Sequence, residues 1–143
     1  MNDQANARPL LTQLLHAAGE IQNRLEEAVE KSGLSLAKLG VLDALAAREG
    51  SLPLGRLADV LSCVRSNVTQ LVDRLEADGL VRREPDPDDR RITLAVITAE
   101  GRKRYEEAMR ARADAEQRLM ASLPAERRTQ LERLLQDIRG AIA

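Results

Sequence analysis

The sequence predicts a mainly α-helical fold with one small antiparallel β-wing, on three observations. Apolar residues recur at helical spacing through most of its 143 residues. Two of these stripes lie on either side of the short break Ser62-Cys63-Val64. Directly after Gly79, the run LVRREPDPDDRRITLAVIT holds two strand-like stretches around a turn made of prolines and aspartates. Helix, turn, helix and hairpin in that order make a winged helix-turn-helix, flanked here by a long helix at each end.

Taken in order, residues 1–8 are polar and expected to be frayed. A long helix is expected from about Pro9 to Lys31, with proline in its first turn and Ser32-Gly33 as its stop. Its stripe is Leu11, Leu14, Leu15, Ala18, Ile21, Leu25 and Val29. His16 sits beside that stripe and reads as packed or solvated. Ser35 is placed to cap a second helix, Leu36 to Arg48, with Leu36, Leu39, Leu42 and Leu45-Ala46 inward. Glu49-Gly50-Ser51 ends it, and Leu52-Pro53 leads into the helix pair.

The first helix of the pair carries Leu54, Leu57, Ala58 and Leu61; the second carries Val68, Leu71, Val72 and Leu75. Advancing by about 100° per residue from Val68 puts Ser66, Gln70, Asp73 and Ala77 on the opposite face, with Asn67, Thr69 and Arg74 on its flanks. That face is short and hydrogen-bonding, as a helix in a DNA major groove needs; an ordinary solvated face reads the same way. The groove-facing set is Arg65, Ser66, Asn67, Thr69, Gln70 and Arg74. Cys63 takes the place of an inward apolar residue in the turn and reads as a small buried hydrophobe. Its rival reading is a thiol sensor, because Arg65 and a helix start would lower a thiol pKa.

The wing is expected as strands Leu80–Glu84 and Ile92–Ile97 around EPDPDDRR. Arg82 and Arg83 alternate faces, so only one of them can point at DNA. At the tip, Arg90 and Arg91 follow Asp86, Asp88 and Asp89. An ordinary solvated tip, whose acids would repel phosphate, is one reading. The functional one is that Asp89 holds Arg91 by a charge-assisted bond and prepares the guanidinium for a minor groove. Thr98 reads as the N-cap of a helix from Ala99 to about Leu123, with Glu100 suited to the helix dipole. That helix is thin in apolar residues and reads as a solvent-bridging connector. Leu123-Pro124 breaks it, and the last helix, Ala125 to Ile142, carries Leu131, Leu134, Leu135, Ile138 and Ile142. With the N-terminal stripe, this is more apolar surface than a small lobe can bury, so dimerisation is the economical reading.

The run DRLEADGLVRREPDPDDRRITLAVITAEG resembles the signature of the MarR family of transcriptional regulators. In that family a D-x-R motif on the wing leads, after a strand, to an L-T-x-x-G-like step into the next helix. The matching residues are Asp89 with Arg91, and Ile97-Thr98-Ala99-Glu100-Gly101. Length and helix order match as well. Where relatives commonly cap the recognition helix with serine this chain has Val64, which leaves Ser62, Ser66 or a shifted helix start to serve. The resemblance implies a homodimer joined through both chain ends, residues 9–33 and 125–143. It implies a DNA-binding lobe over 36–98 and a connecting helix over 99–123. It further implies a pseudo-palindromic operator in double-stranded DNA, repression as the usual outcome, and release by a small-molecule effector bound between the lobes.

Composition sets the outer limits. The hydrophobic fraction of 43% and charged fraction of 31% are those of a globular chain. Tyr105 is the only aromatic residue, so the core must be built from Leu, Val, Ile and Ala. A net charge of −1 gives no hint of nucleic acid, and from Arg56 to Arg91 seven arginines face eight acids. Any DNA-binding surface must therefore come from how charges are sorted over faces. One cysteine excludes an internal disulfide, and with a single histidine it leaves no His/Cys metal set. No nucleophile elbow, phosphate loop or dinucleotide fingerprint is present, so neither an enzyme nor a cofactor is expected. No apolar run reaches membrane-spanning length and the N-terminus lacks a signal peptide's pattern, which predicts a cytoplasmic protein. Two other readings stay open: a redox regulator acting through Cys63, and a winged-helix adaptor that binds protein rather than DNA.

Overall fold

The computed structural model describes residues 3–62 and 65–143. Among the described residues six helices and three strands follow one another: α1 (Asp3–Glu30), α2 (Leu36–Ala46), β1 (Ser51–Pro53), α3 (Leu54–Leu61), α4 (Arg65–Ala77), β2 (Val81–Pro85), β3 (Thr93–Ile97), α5 (Ala99–Ala121) and α6 (Ala125–Ile142). Cys63 and Val64, and with them both readings of the cysteine, lie outside the described residues.

Helix α2 is the centre of the lobe that it forms with α3, α4 and the sheet. The Ser35 side chain accepts from the Lys38 N–H at 3.1 Å and caps its start. Leu39, Leu42 and Leu45 are buried as expected, and Val41 and Ala44 are buried too, so neighbours cover α2 on nearly every side. It ends at Ala46, two residues before the expected Arg48, because Gly50 turns back in the left-handed region (φ 92°) and donates to the Leu45 carbonyl. Gly50 then accepts from Ile97 and starts the sheet.

The sheet has three strands in the order β1-β3-β2, all antiparallel, rather than the two of a simple hairpin. Strand β1 was not expected: three residues cannot display a period of two, and Pro53 argues against a strand except at an edge. Here it is an edge, with Leu52 opposite Ala95. On the other side Val81 pairs with Ile97 and Pro85 with Thr93. Both wing strands start one residue later than expected. Leu80 is taken up in closing α4, its N–H donating to the Leu75 carbonyl past Gly79 (φ 75°), as in a Schellman closure.

Helices α3 and α4 bury the stripes read from the sequence. Leu57 and Ala58 are buried with Leu54 and Leu61 packed around them; Val68, Val72 and Leu75 are buried beside Leu71. Ser62 closes α3 in the left-handed region (φ 52°). Helix α5 does not bridge through solvent. It lies along α1 and across α2, with Ala108 fully buried. The Tyr105 hydroxyl donates to Asp43 Oδ1 at 2.8 Å, and Arg104 Nη1 donates to the Ser32 carbonyl at 3.2 Å.

The outer helices differ from the lobe. Helix α1 begins at Asp3, so the segment expected to fray is helical from there and Pro9 lies inside the helix. Of its stripe only Val29 is buried; Leu14 and Leu25 are half-buried, and Leu11, Leu15, Ala18 and Ile21 are exposed. His16 is exposed. Helix α6 has no buried residue, and Leu134 and Ile142 are 59% and 79% exposed. Among the described residues, no helix is long and apolar enough to cross a membrane.

Candidate nucleic-acid interface

The face of α4 turned away from the core carries Ser66, Asn67, Thr69, Gln70, Asp73 and Arg74, all exposed. Arg65 opens the helix, though its side chain lies outside the description. The structure thus brings Ser66, Asn67, Thr69, Gln70 and Arg74 onto one surface of one helix, because Val68, Leu71, Val72 and Leu75 face inward. These side chains are hydrogen-bonding and compact, which suits contact with base edges and phosphates.

The wing tip is a folded turn rather than a loose charged loop. Asp86 Oδ1 accepts from the Asp88 N–H at 2.8 Å, and the Asp89 carbonyl accepts from the Ile92 N–H at 2.9 Å. Asp89 Oδ1 accepts from both the Arg91 N–H (3.1 Å) and Arg91 Nε (3.0 Å), while its Oδ2 accepts from Arg91 Nη2 at 3.0 Å. Two of the three tip acids therefore act as hydrogen-bond acceptors that shape the turn, which the charge count alone did not reveal. The side-chain bond from Arg91, then the backbone bond, hold the Asp89 carboxyl below its ordinary pKa; the same pair raises that of the guanidinium. Arg91 remains 89% exposed, so it is oriented without being covered. Arg90 is exposed beside it.

Wing and helix are joined by a residue that the sequence did not single out for this role. Arg83 on β2 donates from Nη2 to Asp73 Oδ1 at 2.5 Å and from Nη1 to Glu76 Oε2 at 2.9 Å. Burial opposes its charge, but the bonds to Asp73 and Glu76 outweigh that and raise its pKa. Arg82, on the opposite face of the strand, pairs instead with Glu84. Arg56 on α3 lines a groove with Asp59, Arg91 and Thr93 beside the wing.

Known proteins carry the same arrangement. The MarR family model matches residues 32–92, which take in α2, the helix pair, β2 and the wing tip. The HTH-type transcriptional repressor MdtR of Bacillus subtilis is 36% identical over 93 residues, 65% of this chain and 59% of MdtR. The transcriptional activatory protein BadR of Rhodopseudomonas palustris is 35% identical over 102 residues, 70% of this chain and 58% of BadR. The chain thus spans about three fifths of the length of these curated relatives. Among solved structures, YusO from Bacillus subtilis superposes with a TM-score of 0.76 at 27% identity, covering 99% of both chains. A mutant of MarR from E. coli, complexed with operator DNA, superposes with a TM-score of 0.78 at 25% identity, covering 96% of this chain and 97% of that one. The segment from α2 to the wing tip thus matches the MarR family model, and the whole chain superposes on a solved MarR structure over nearly its full length.

Proposed function

We propose that the protein is a sequence-specific DNA-binding transcriptional regulator acting as a homodimer on a pseudo-palindromic operator. The observation that carries this reading is the pairing of two different DNA-reading devices on one lobe. A polar helix face is fit for a major groove, and an exposed arginine held by Asp89 is fit for a minor groove. The solved MarR relative bound to operator DNA supports the same reading. MdtR is named a repressor and BadR an activatory protein, so regulation of either sign occurs among the relatives. Residues 36–98 would form the DNA-binding lobe, 99–123 the connecting helix, and 9–33 with 125–143 the dimer contact. A cytoplasmic location goes with this role. The regulator would take a small-molecule effector, for which the groove between α1 and α5 offers Arg24, Lys31 and Arg118 around Ala28 and Ala115.

The two devices predict different losses. Arg91→Ala should weaken binding to most sequences and reduce the log–log salt dependence by about one unit, because one cationic contact disappears. Gln70→Ala should instead relax preference at one base position per half-site, by roughly 1–3 kcal/mol, with the salt slope nearly intact. Titration of both variants against matched and substituted duplexes at several salt concentrations checks this. A Gln70→Ala variant altered only in salt slope, or an Arg91→Ala variant with unchanged affinity, would show the placement on DNA to be wrong.

A further inference from the structure

We propose that Arg83 is a positioning residue for DNA readout: its guanidinium fixes the recognition helix α4 to the wing, so that both meet the duplex as one rigid unit. This rests on the DNA-binding reading above. Arg83 sits on β2, opposite Ala95 of β3, and is therefore anchored in the sheet that carries the wing. Its two terminal nitrogens reach different residues of α4, Asp73 and Glu76, which stand about one helical turn apart. Among the described residues these are the only ion pairs between α4 and the wing strands.

A single point of attachment would let α4 roll about its axis. Two points a turn apart, held by a planar guanidinium, resist that roll. The consequence for readout is geometric. With a helix diameter of about 10–12 Å including side chains, a roll of about 20° moves an outer-face atom by about 2 Å. Bidentate recognition of a base edge does not survive such a shift, since hydrogen-bond distances span only a few tenths of an ångström. Asp73 lies three residues after Gln70 and four after Thr69, on the face that would enter the groove. The fork therefore grips α4 where rotation matters most. It also has an electrostatic effect, placing a cation against two carboxylates that would otherwise face phosphates. Arg83 is the less exposed partner, with a side chain 27% exposed against 59% for Asp73 and 43% for Glu76, so water competes with the fork less than at the tip.

The test uses the full chain and a duplex that it selects from a random double-stranded pool. Affinities are measured for the matched duplex and for duplexes substituted at single positions. In the natural protein the best-read position should discriminate by about tenfold or more. In Arg83→Gln that ratio should fall below about threefold, and the loss caused by Arg91→Ala should shrink in the same background, as coupled residues require. Arg83→Lys, which keeps the charge but not the fork, should remain impaired in discrimination. Undiminished discrimination in Arg83→Gln, with Arg91→Ala costing the same in both backgrounds, overturns the proposal. So does a fall in the salt slope by about one unit with discrimination intact, which would make Arg83 a phosphate contact. Should Arg83→Gln fail to fold, the double variant Asp73→Asn with Glu76→Gln removes the fork from the helix side. The same loss of discrimination is then expected, and its absence overturns the proposal. Failure of the natural protein to enrich any duplex would instead refute the DNA-binding reading itself, before any variant is made.

Discussion

Asp89 shows how one side chain can set both a loop and its neighbour's direction. It shapes the turn through the Arg91 N–H and aims Arg91 through two side-chain bonds. The consequence for its titration is definite. Its folded pKa is lowered, so this contribution to turn stability is present above the unfolded value near 3.8 and is lost as pH falls through the lowered folded value. Carboxyl NMR titration should find Asp89 protonating below that value in the natural protein. In Arg91→Ala it should move back toward 3.8, and an unmoved midpoint would show that the clasp does not persist in solution. This pair was legible in the sequence because its members stand two residues apart inside one turn. The Arg83 fork was only half legible. Strand alternation separated Arg82 from Arg83, but the partners lie on different elements up to ten residues apart.

At the scale of elements, the step from β3 into α5 is where the lobe is locked shut. Thr98 Oγ1 accepts from the Gly101 N–H at 2.9 Å and donates to the Gly79 carbonyl at 2.7 Å, while the Thr98 N–H donates to the Leu80 carbonyl. A Cβ on Gly101 would stand 2.0 Å from the Leu80 carbonyl oxygen, so the glycine in the family motif is required by close approach. Gly101→Ala should cost about 1–3 kcal/mol by overpacking, lowering the melting temperature by roughly 2–4 °C for each kcal/mol. Calorimetry checks this, and an unchanged melting temperature would mean that the α4–β2 turn yields freely. The sequence displayed the helical stripes and the Ser35 and Thr98 caps because each is a local pattern. It did not display β1, whose three residues acquire meaning only opposite β3, nor the packing of α5. That packing rests on Ala108 together with Tyr105 and Met109, a short patch in an otherwise charged helix.

Over the whole molecule, burial is unequal. The core lies in the lobe and in the near end of α1, while α1 and α6 leave Leu10, Leu11, Leu15, Ile21, Leu131, Leu134, Leu135, Ile138 and Ile142 exposed. A run of this size is the surface that the proposed dimer contact would cover. Since no residue of α6 is buried within the chain, polar substitution there should spare the fold. Leu134→Glu with Ile138→Glu should keep the helical signal while sedimentation shows the mass of one chain in place of two. A variant that stays dimeric would move the interface elsewhere.

The bond between Tyr105 and Asp43 ties α5 to α2, joining the outer helices to the lobe that would hold DNA. Tyr105 is also the only aromatic side chain in the protein. The hydrogen bond to Asp43, with some burial, raises its phenol pKa above the ordinary 10.0. Ultraviolet absorption by phenolate in alkaline solution therefore reports on one atom at one junction, with no other aromatic group to obscure it. While the two helices stay joined, ionisation should require a pH above 10.0. If they part, the midpoint should drift back toward that value, and the chain would signal a change between its lobes through its own absorption spectrum.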